Sequence, residues 1–135
     1  MSTVLSPDQT STGLLRTALR VDGWGTGIFG VVMLAGAAAL RGPLGLPTAW
    51  SVPFGVAMLG GALALLLIAG YPEIPFGHAS AVVVVNALSA AGMVAVALSG
   101  LIGLTGLGVA FLLVGAAVVA GFAVLEYTGV RRAGY

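Results

Sequence analysis

The 135-residue sequence predicts an all-α membrane protein: a four-transmembrane-helix bundle with both termini cytoplasmic. Three observations carry that expectation. Residues of the AVILMFWYC set make up 59% of the chain and charged residues only 7%, where a soluble domain has about a quarter charged. The mean hydropathy is +1.14. The few charges are also unevenly placed, at Asp8, Arg16, Arg20, Asp22, Arg41, Glu73, Glu126, Arg131 and Arg132, with uncharged runs between them that suit helices of about 20 residues per crossing. This composition excludes a soluble globular monomer and a disordered chain. Runs such as Ala62–Ile68 and Val82–Val85 do not alternate polar with apolar residues, which excludes a transmembrane β-barrel.

The elements follow in order. Residues 1–12 are polar, acidic at Asp8 and interrupted by Pro7, and read as a flexible tail rather than a signal peptide. Over Gly13–Arg20, Leu14, Leu15, Ala18 and Leu19 form an apolar stripe opposite Arg16 and Arg20. That segment is a short interfacial helix or an extension of the first span, its arginines meeting anionic headgroups. The first span lies near 21–40. Gly42–Pro47 reads as a turn, which leaves a second span near 51–71. Roughly 47 uncharged residues from Ala79 to Leu125 are too many for one crossing. Gly100, Gly103, Thr105 and Gly106 divide them into spans near 79–99 and 106–127, so that 13–132 is one domain and 133–135 a short tail.

Arg16, Arg20, Arg131 and Arg132 share the side of the termini, and only Arg41 lies opposite. The positive-inside rule then puts both termini in the cytoplasm and the chain in the cell inner (plasma) membrane as a multi-pass protein. Trp24, Tyr71 and Tyr127 fall at the inner interface and Trp50 at the outer one.

Several chemistries drop out at once. The net charge of +1 leaves no basic patch for nucleic acid. The absence of Cys removes disulfides, thiolate nucleophiles and zinc–cysteine sites, and one His excludes a multi-His metal site within one chain. No cofactor is expected. Gly23–Gly27 lacks the lysine and strand context of a phosphate loop.

Glycines recur at small-residue spacing: Gly23, Gly27 and Gly30 in the first span, Gly55, Gly60 and Gly61 in the second, and Gly108, Gly115 and Gly121 in the fourth. In lipid such residues allow close backbone approach. They serve either a compact bundle or a face for homo-oligomers, or reflect ordinary membrane-helix composition.

The polar residues within the spans are the functional candidates, because an ionisable group in a membrane is expensive. Asp22 and Glu126 qualify, and neither has a basic residue three or four positions away on its own helix. Asp22 begins the first span and Glu126 ends the fourth, so both lie at the end that carries the termini. Asn86 lies roughly 10 Å into the third span from the same side. Ser89 is one turn deeper, and His78 and Glu73 stand at the entrance. Two carboxylates meeting in a poorly solvated rim cannot both ionise comfortably, which provides a proton donor beside an acceptor. Asp22 and Glu126 are therefore the candidate catalytic pair, with Asn86, Trp24, Tyr127, Ser89 and His78 as candidate substrate-binding residues. Plainer readings stand beside these. The carboxylates can reach headgroup water or pair with Arg20, Arg131 or Arg132, and Asn86 can be a packing hydrogen bond. His78 can be a solvated loop residue, and the aromatics can be interface anchors.

The segments Ala18–Gly23, Asn86–Leu88 and Leu125–Arg132 resemble those of uncharacterised small four-helix integral membrane proteins of actinobacteria, over most of the chain after Gly13. The resemblance implies the architecture and carries no activity. Small multidrug exporters keep a Glu within the first helix, where this chain has Asp22 at the rim. Fluoride channels combine an Asn with a Thr/Ser-Phe-rich helix, and Asn86 has no such companion.

The function expected is a one-sided polar pocket for a lipophilic small molecule in the lipid bilayer, with a carboxylate acid–base cyclase or isomerase acting on a terpenoid or polyketide as its enzymatic form. The alternatives are a small-molecule or proton-coupled transporter and an accessory subunit of a larger membrane complex.

Overall fold

The computed structural model describes residues 12–135, which contain five helices and no strand: α1 (Gly13–Ala35), α2 (Ala37–Leu44), α3 (Thr48–Ala69), α4 (Phe76–Ser99) and α5 (Gly106–Ala133). All but α2 are long and apolar enough to cross a membrane, so the chain is a multi-pass membrane protein built as an all-α bundle. The polar tail expected over 1–12 lies, apart from Thr12, outside the described residues.

The first span departs most from its expected bounds. Gly13–Arg20 is an unbroken extension of α1, which leaves Asp22 inside the helix and not at its start. Arg16 shows why the charged turn stays helical. Its guanidinium donates to the carbonyls of Ala69 at 2.5 Å, Tyr71 at 2.7 Å and Pro72 at 3.3 Å. Those carbonyls belong to the end of α3 and the loop after it, where helix geometry leaves acceptors without partners. Arg16 is thus a cap for another helix and not the headgroup contact expected of it.

At the other end α1 stops at Gly36, short of Leu40. The Gly36 N–H bonds the Val32 carbonyl at 2.8 Å, its own carbonyl accepts from Leu40 at 2.9 Å, and the helix restarts as α2. The expected turn at Gly42–Pro47 is helical through Leu44. It ends at Gly45, whose φ of +66° is left-handed and where a Cβ would lie 2.5 Å from the Gly103 carbonyl. Both conformation and space demand glycine there.

Pro47 and Pro75 precede α3 and α4 with φ of −64°, prolines that start helices without leaving an N–H unpaired. Thr105 caps α5 by accepting from the Gly108 N–H at 3.0 Å. Its hydroxyl also donates to the Pro43 carbonyl at 2.7 Å, and its N–H bonds Leu44, which ties α2 onto the start of α5. α5 runs on past the expected end at 127 to Ala133. The last residues are held too: the Tyr135 phenol donates to the Ile74 carbonyl and its ring meets Phe76 edge-on, with centroids 5.3 Å apart.

α1 packs along α3, α4 along α5, and α1 against α5, whereas α3 and α4 hardly touch. The order across the bundle is therefore α3, α1, α5, α4. Glycines form the α1–α3 seam: a Cβ at Gly23 would strike Leu66, one at Gly27 would rest on Ala62, and one at Gly30 would lie 3.1 Å from the Gly55 carbonyl. This is the close approach that helices in lipid need. Gly60, Gly61 and Gly121 face open space, so they take no part in it. Two apolar clusters fill the interior. Leu15, Leu19, Leu65, Ala69, Ile74 and Ala79 form one at the end of the termini. Met33, Leu44, Leu46 and Ile102 form the other at the far end.

Candidate functional site

Along α1 the two apolar clusters are separated by a polar layer. Asp22 and Glu126 are buried there, with 3% and 0% of their surfaces exposed, and they are the only buried ionisable side chains among the described residues. Each arrives on a different helix, Asp22 on α1 and Glu126 on α5, and α4 supplies Asn86. The Asn86 amide nitrogen donates to Asp22 Oδ2 at 2.9 Å and to Glu126 Oε1 at 2.6 Å. An amide NH₂ carries two hydrogens, so one side chain bridges both carboxyls. The shared nitrogen holds the two carboxyls beside each other.

Thr26, one turn beyond Asp22, donates its hydroxyl to Asp22 Oδ1 at 2.9 Å and completes the partners of that carboxyl. Sequence reasoning missed Thr26. The signal was its spacing of four from Asp22, which places both on one helix face. Glu126 Oε2 is buried and has no hydrogen-bond partner. A buried oxygen in that condition is costly and needs an explanation.

Neither carboxyl forms an ion pair with an arginine among the described residues. Arg16 is engaged with loop carbonyls, and Arg131 donates to the Tyr127 phenol at 3.2 Å. Counted along the helices, the cluster lies inside them and not at their ends. Asp22 is about 13 Å along the axis from the start of α1, Asn86 about 15 Å from the start of α4, and Glu126 about 10 Å from the end of α5. The surroundings of the pair are protein, with 3% and 0% of the two residues exposed.

The other candidates lie elsewhere. Trp24 is 65% exposed on the outer face of α1. Ser89 is exposed, and His78 is exposed and stacks on Tyr71 with ring centroids 5.6 Å apart. Tyr127 faces outward with Arg131, whose guanidinium lies 5.9 Å from its ring centroid. Of the residues selected from sequence, the structure brings together Asp22, Asn86 and Glu126, and it keeps Trp24, Tyr127, Ser89 and His78 apart from them. Among the described residues no three of His, Asp and Glu converge as a metal site.

The arrangement has the chemical content of a proton-sharing pair: two carboxyls, one amide bridging them, one hydroxyl supporting Asp22 and, among the described residues, no cation paired with either carboxyl. No protein-family model matches the chain, and neither a curated protein nor a solved structure does.

Proposed function

We propose that this membrane protein takes a lipophilic small molecule to the Asp22–Asn86–Glu126 cluster and exchanges a proton with it. The buried carboxyl pair bridged by one amide carries the reading. Two carboxyls this close in a low-dielectric interior are stable when they share one proton. One is then a general acid and the other a general base, which suits protonation of an alkene, epoxide or carbonyl and removal of a proton elsewhere on the same molecule. The net change is a cyclisation or isomerisation of a terpenoid or polyketide, without electron transfer. Asn86 holds the pair in register, and the shared proton accounts for Glu126 Oε2, the buried oxygen that no N–H or hydroxyl reaches. The scant contact between α3 and α4 supports entry sideways from the lipid. The arginine distribution supports a plasma-membrane location with the termini in the cytoplasm.

The test uses Asp22→Asn and Glu126→Gln, purified into nanodiscs and checked by circular dichroism. Isoprenoid-epoxide and polyketide probes turned over by the wild type are expected to survive unchanged with either variant. Full turnover by both would refute the acid–base assignment.

The burial of the cluster between helices favours a second reading. Coupling groups of proton-driven transporters are ionisable residues held within the spans, and Asp22 and Glu126 are buried inside α1 and α5. Proton-coupled transport requires pH-driven flux in proteoliposomes that Glu126→Gln abolishes. Recovery of a stoichiometric larger membrane complex after gentle solubilisation, with neither turnover nor flux, would favour the accessory role.

A further inference from the structure

Away from the carboxyl cluster, a groove of about 480 Å³ runs along the outer face of α4 and α5 at the end that carries the termini. Its walls include Val83 and Val84 from α4 and the rings of Phe76, Tyr127 and Tyr135, and its one charged lining residue is Arg131. Three contacts shape it. The Tyr135 phenol is tied to the Ile74 carbonyl, which draws the C-terminus across the start of α4. The Tyr135 ring meets Phe76 edge-on and closes that end. Arg131 spends one N–H on the Tyr127 phenol and lies over its ring, which fixes the guanidinium at the mouth while leaving further N–H donors. Among the described residues no Asp or Glu side chain lines the groove, and Arg131 makes no ion pair.

We infer that this groove is a binding site for an anionic glycerophospholipid of the surrounding leaflet, with the phosphate on Arg131 and one acyl chain along Val83 and Val84. The charge and the apolar wall select this occupant together. Arg131 lies in the last turn of a membrane-crossing helix, at the level of the headgroups, and the valines lie about 10 Å further along α4 from Phe76, at the level of the acyl chains. A small soluble anion has no use for the valine wall, and a zwitterionic lipid gains less from an arginine that no carboxylate pairs. Basic pockets between transmembrane helices hold anionic headgroups by the same balance.

The test is native mass spectrometry of the full chain released from neutral detergent micelles, with phosphatidylglycerol and phosphatidylcholine of matched acyl chains added in turn. The wild type is expected to retain phosphatidylglycerol about fivefold over phosphatidylcholine, the effect of one arginine at the membrane surface. Arg131→Gln should bring the two lipids level. Arg132→Gln, altering a neighbour outside the groove, should leave the preference intact. Val84→Trp fills the groove and should reduce retention of both. Equal retention by the wild type, or an undiminished preference in Arg131→Gln, overturns the site. So does displacement of phosphatidylglycerol by millimolar inorganic phosphate, since the acyl contacts would then contribute nothing. Because Arg131 is exposed, its variant folds, and the two arginine substitutions decide the matter even if Val84→Trp does not.

Discussion

Replacing Asn86 by leucine keeps the branched heavy-atom skeleton of the side chain and removes both N–H donors from between Asp22 and Glu126. The wild-type bonds are 2.9 and 2.6 Å long and end on carboxyls that are 3% and 0% exposed, so water cannot take over for the lost amide. Hydrogen bonds to charged groups contribute about 1.5–3 kcal/mol each in soluble proteins. Interhelical bonds in a membrane protein average about 0.6 and reach about 1.7 kcal/mol, because the unfolded chain in lipid finds other partners. The burial places these two at the upper end of the membrane range, for a combined loss of about 3 kcal/mol. Unfolding in mixed micelles of rising sodium dodecyl sulfate fraction, followed by the fluorescence of Trp24 and Trp50, measures it. The companion variant carries Asn86→Leu and Glu126→Gln together. A glutamine at 126 brings its own N–H donors to Asp22 and removes one carboxyl, so about half of the loss should return. An Asn86→Leu protein that unfolds at the wild-type midpoint would refute the bridging role. Simple addition of the two single losses in the double variant would refute the coupling between the carboxyls.

Three further outcomes are expected. Gly129→Ala places a methyl 2.8 Å from the Leu15 Cα and 2.9 Å from its backbone nitrogen, so α1 and α5 must separate, at a cost of about 1–3 kcal/mol in the same assay. Gly121→Ala, with nothing within 4 Å, should be neutral or stabilise by up to about 1 kcal/mol through helix propensity. Arg16→Met releases the carbonyls of Ala69, Tyr71 and Pro72, and amide hydrogen exchange over residues 70–75 should accelerate while α5 keeps its protection.

Four crossings were legible because lipid imposes one rule on every residue of a span, and charge-free runs report it directly. The meeting of Asp22, Asn86 and Glu126 was legible for the same reason: few polar groups survive in such runs, and the topology puts these three toward the same end. Local charge misled where tertiary contacts override it. Arg16 and Arg20 argued that the first span begins after them, yet Arg16 finds carbonyl partners more than fifty residues away, and no pattern in Gly13–Arg20 announces those partners. Pro43 suggested a turn, although a proline near the end of α2 is compatible with the helix reaching Leu44. The order α3, α1, α5, α4 was beyond reach because the spans are apolar all round, so no face declares its partner. The close contacts of Gly23 and Gly30 with α3, Gly129 with α1 and Gly115 with Met93 of α4 show it in the structure.

The open seam between α3 and α4 has a consequence for how the protein is made. α1 with α3, and α4 with α5, are two hairpin-like halves, and the ribosome completes the first before the second exists. Throughout that interval Asp22 stands in lipid with Thr26 as its one companion, since Asn86 and Glu126 have yet to be synthesised. The first half is thus born carrying an unsettled carboxyl that only the second can settle. A chain truncated after α3 keeps Asp22 without the amide that Asn86 brings to it in the finished bundle.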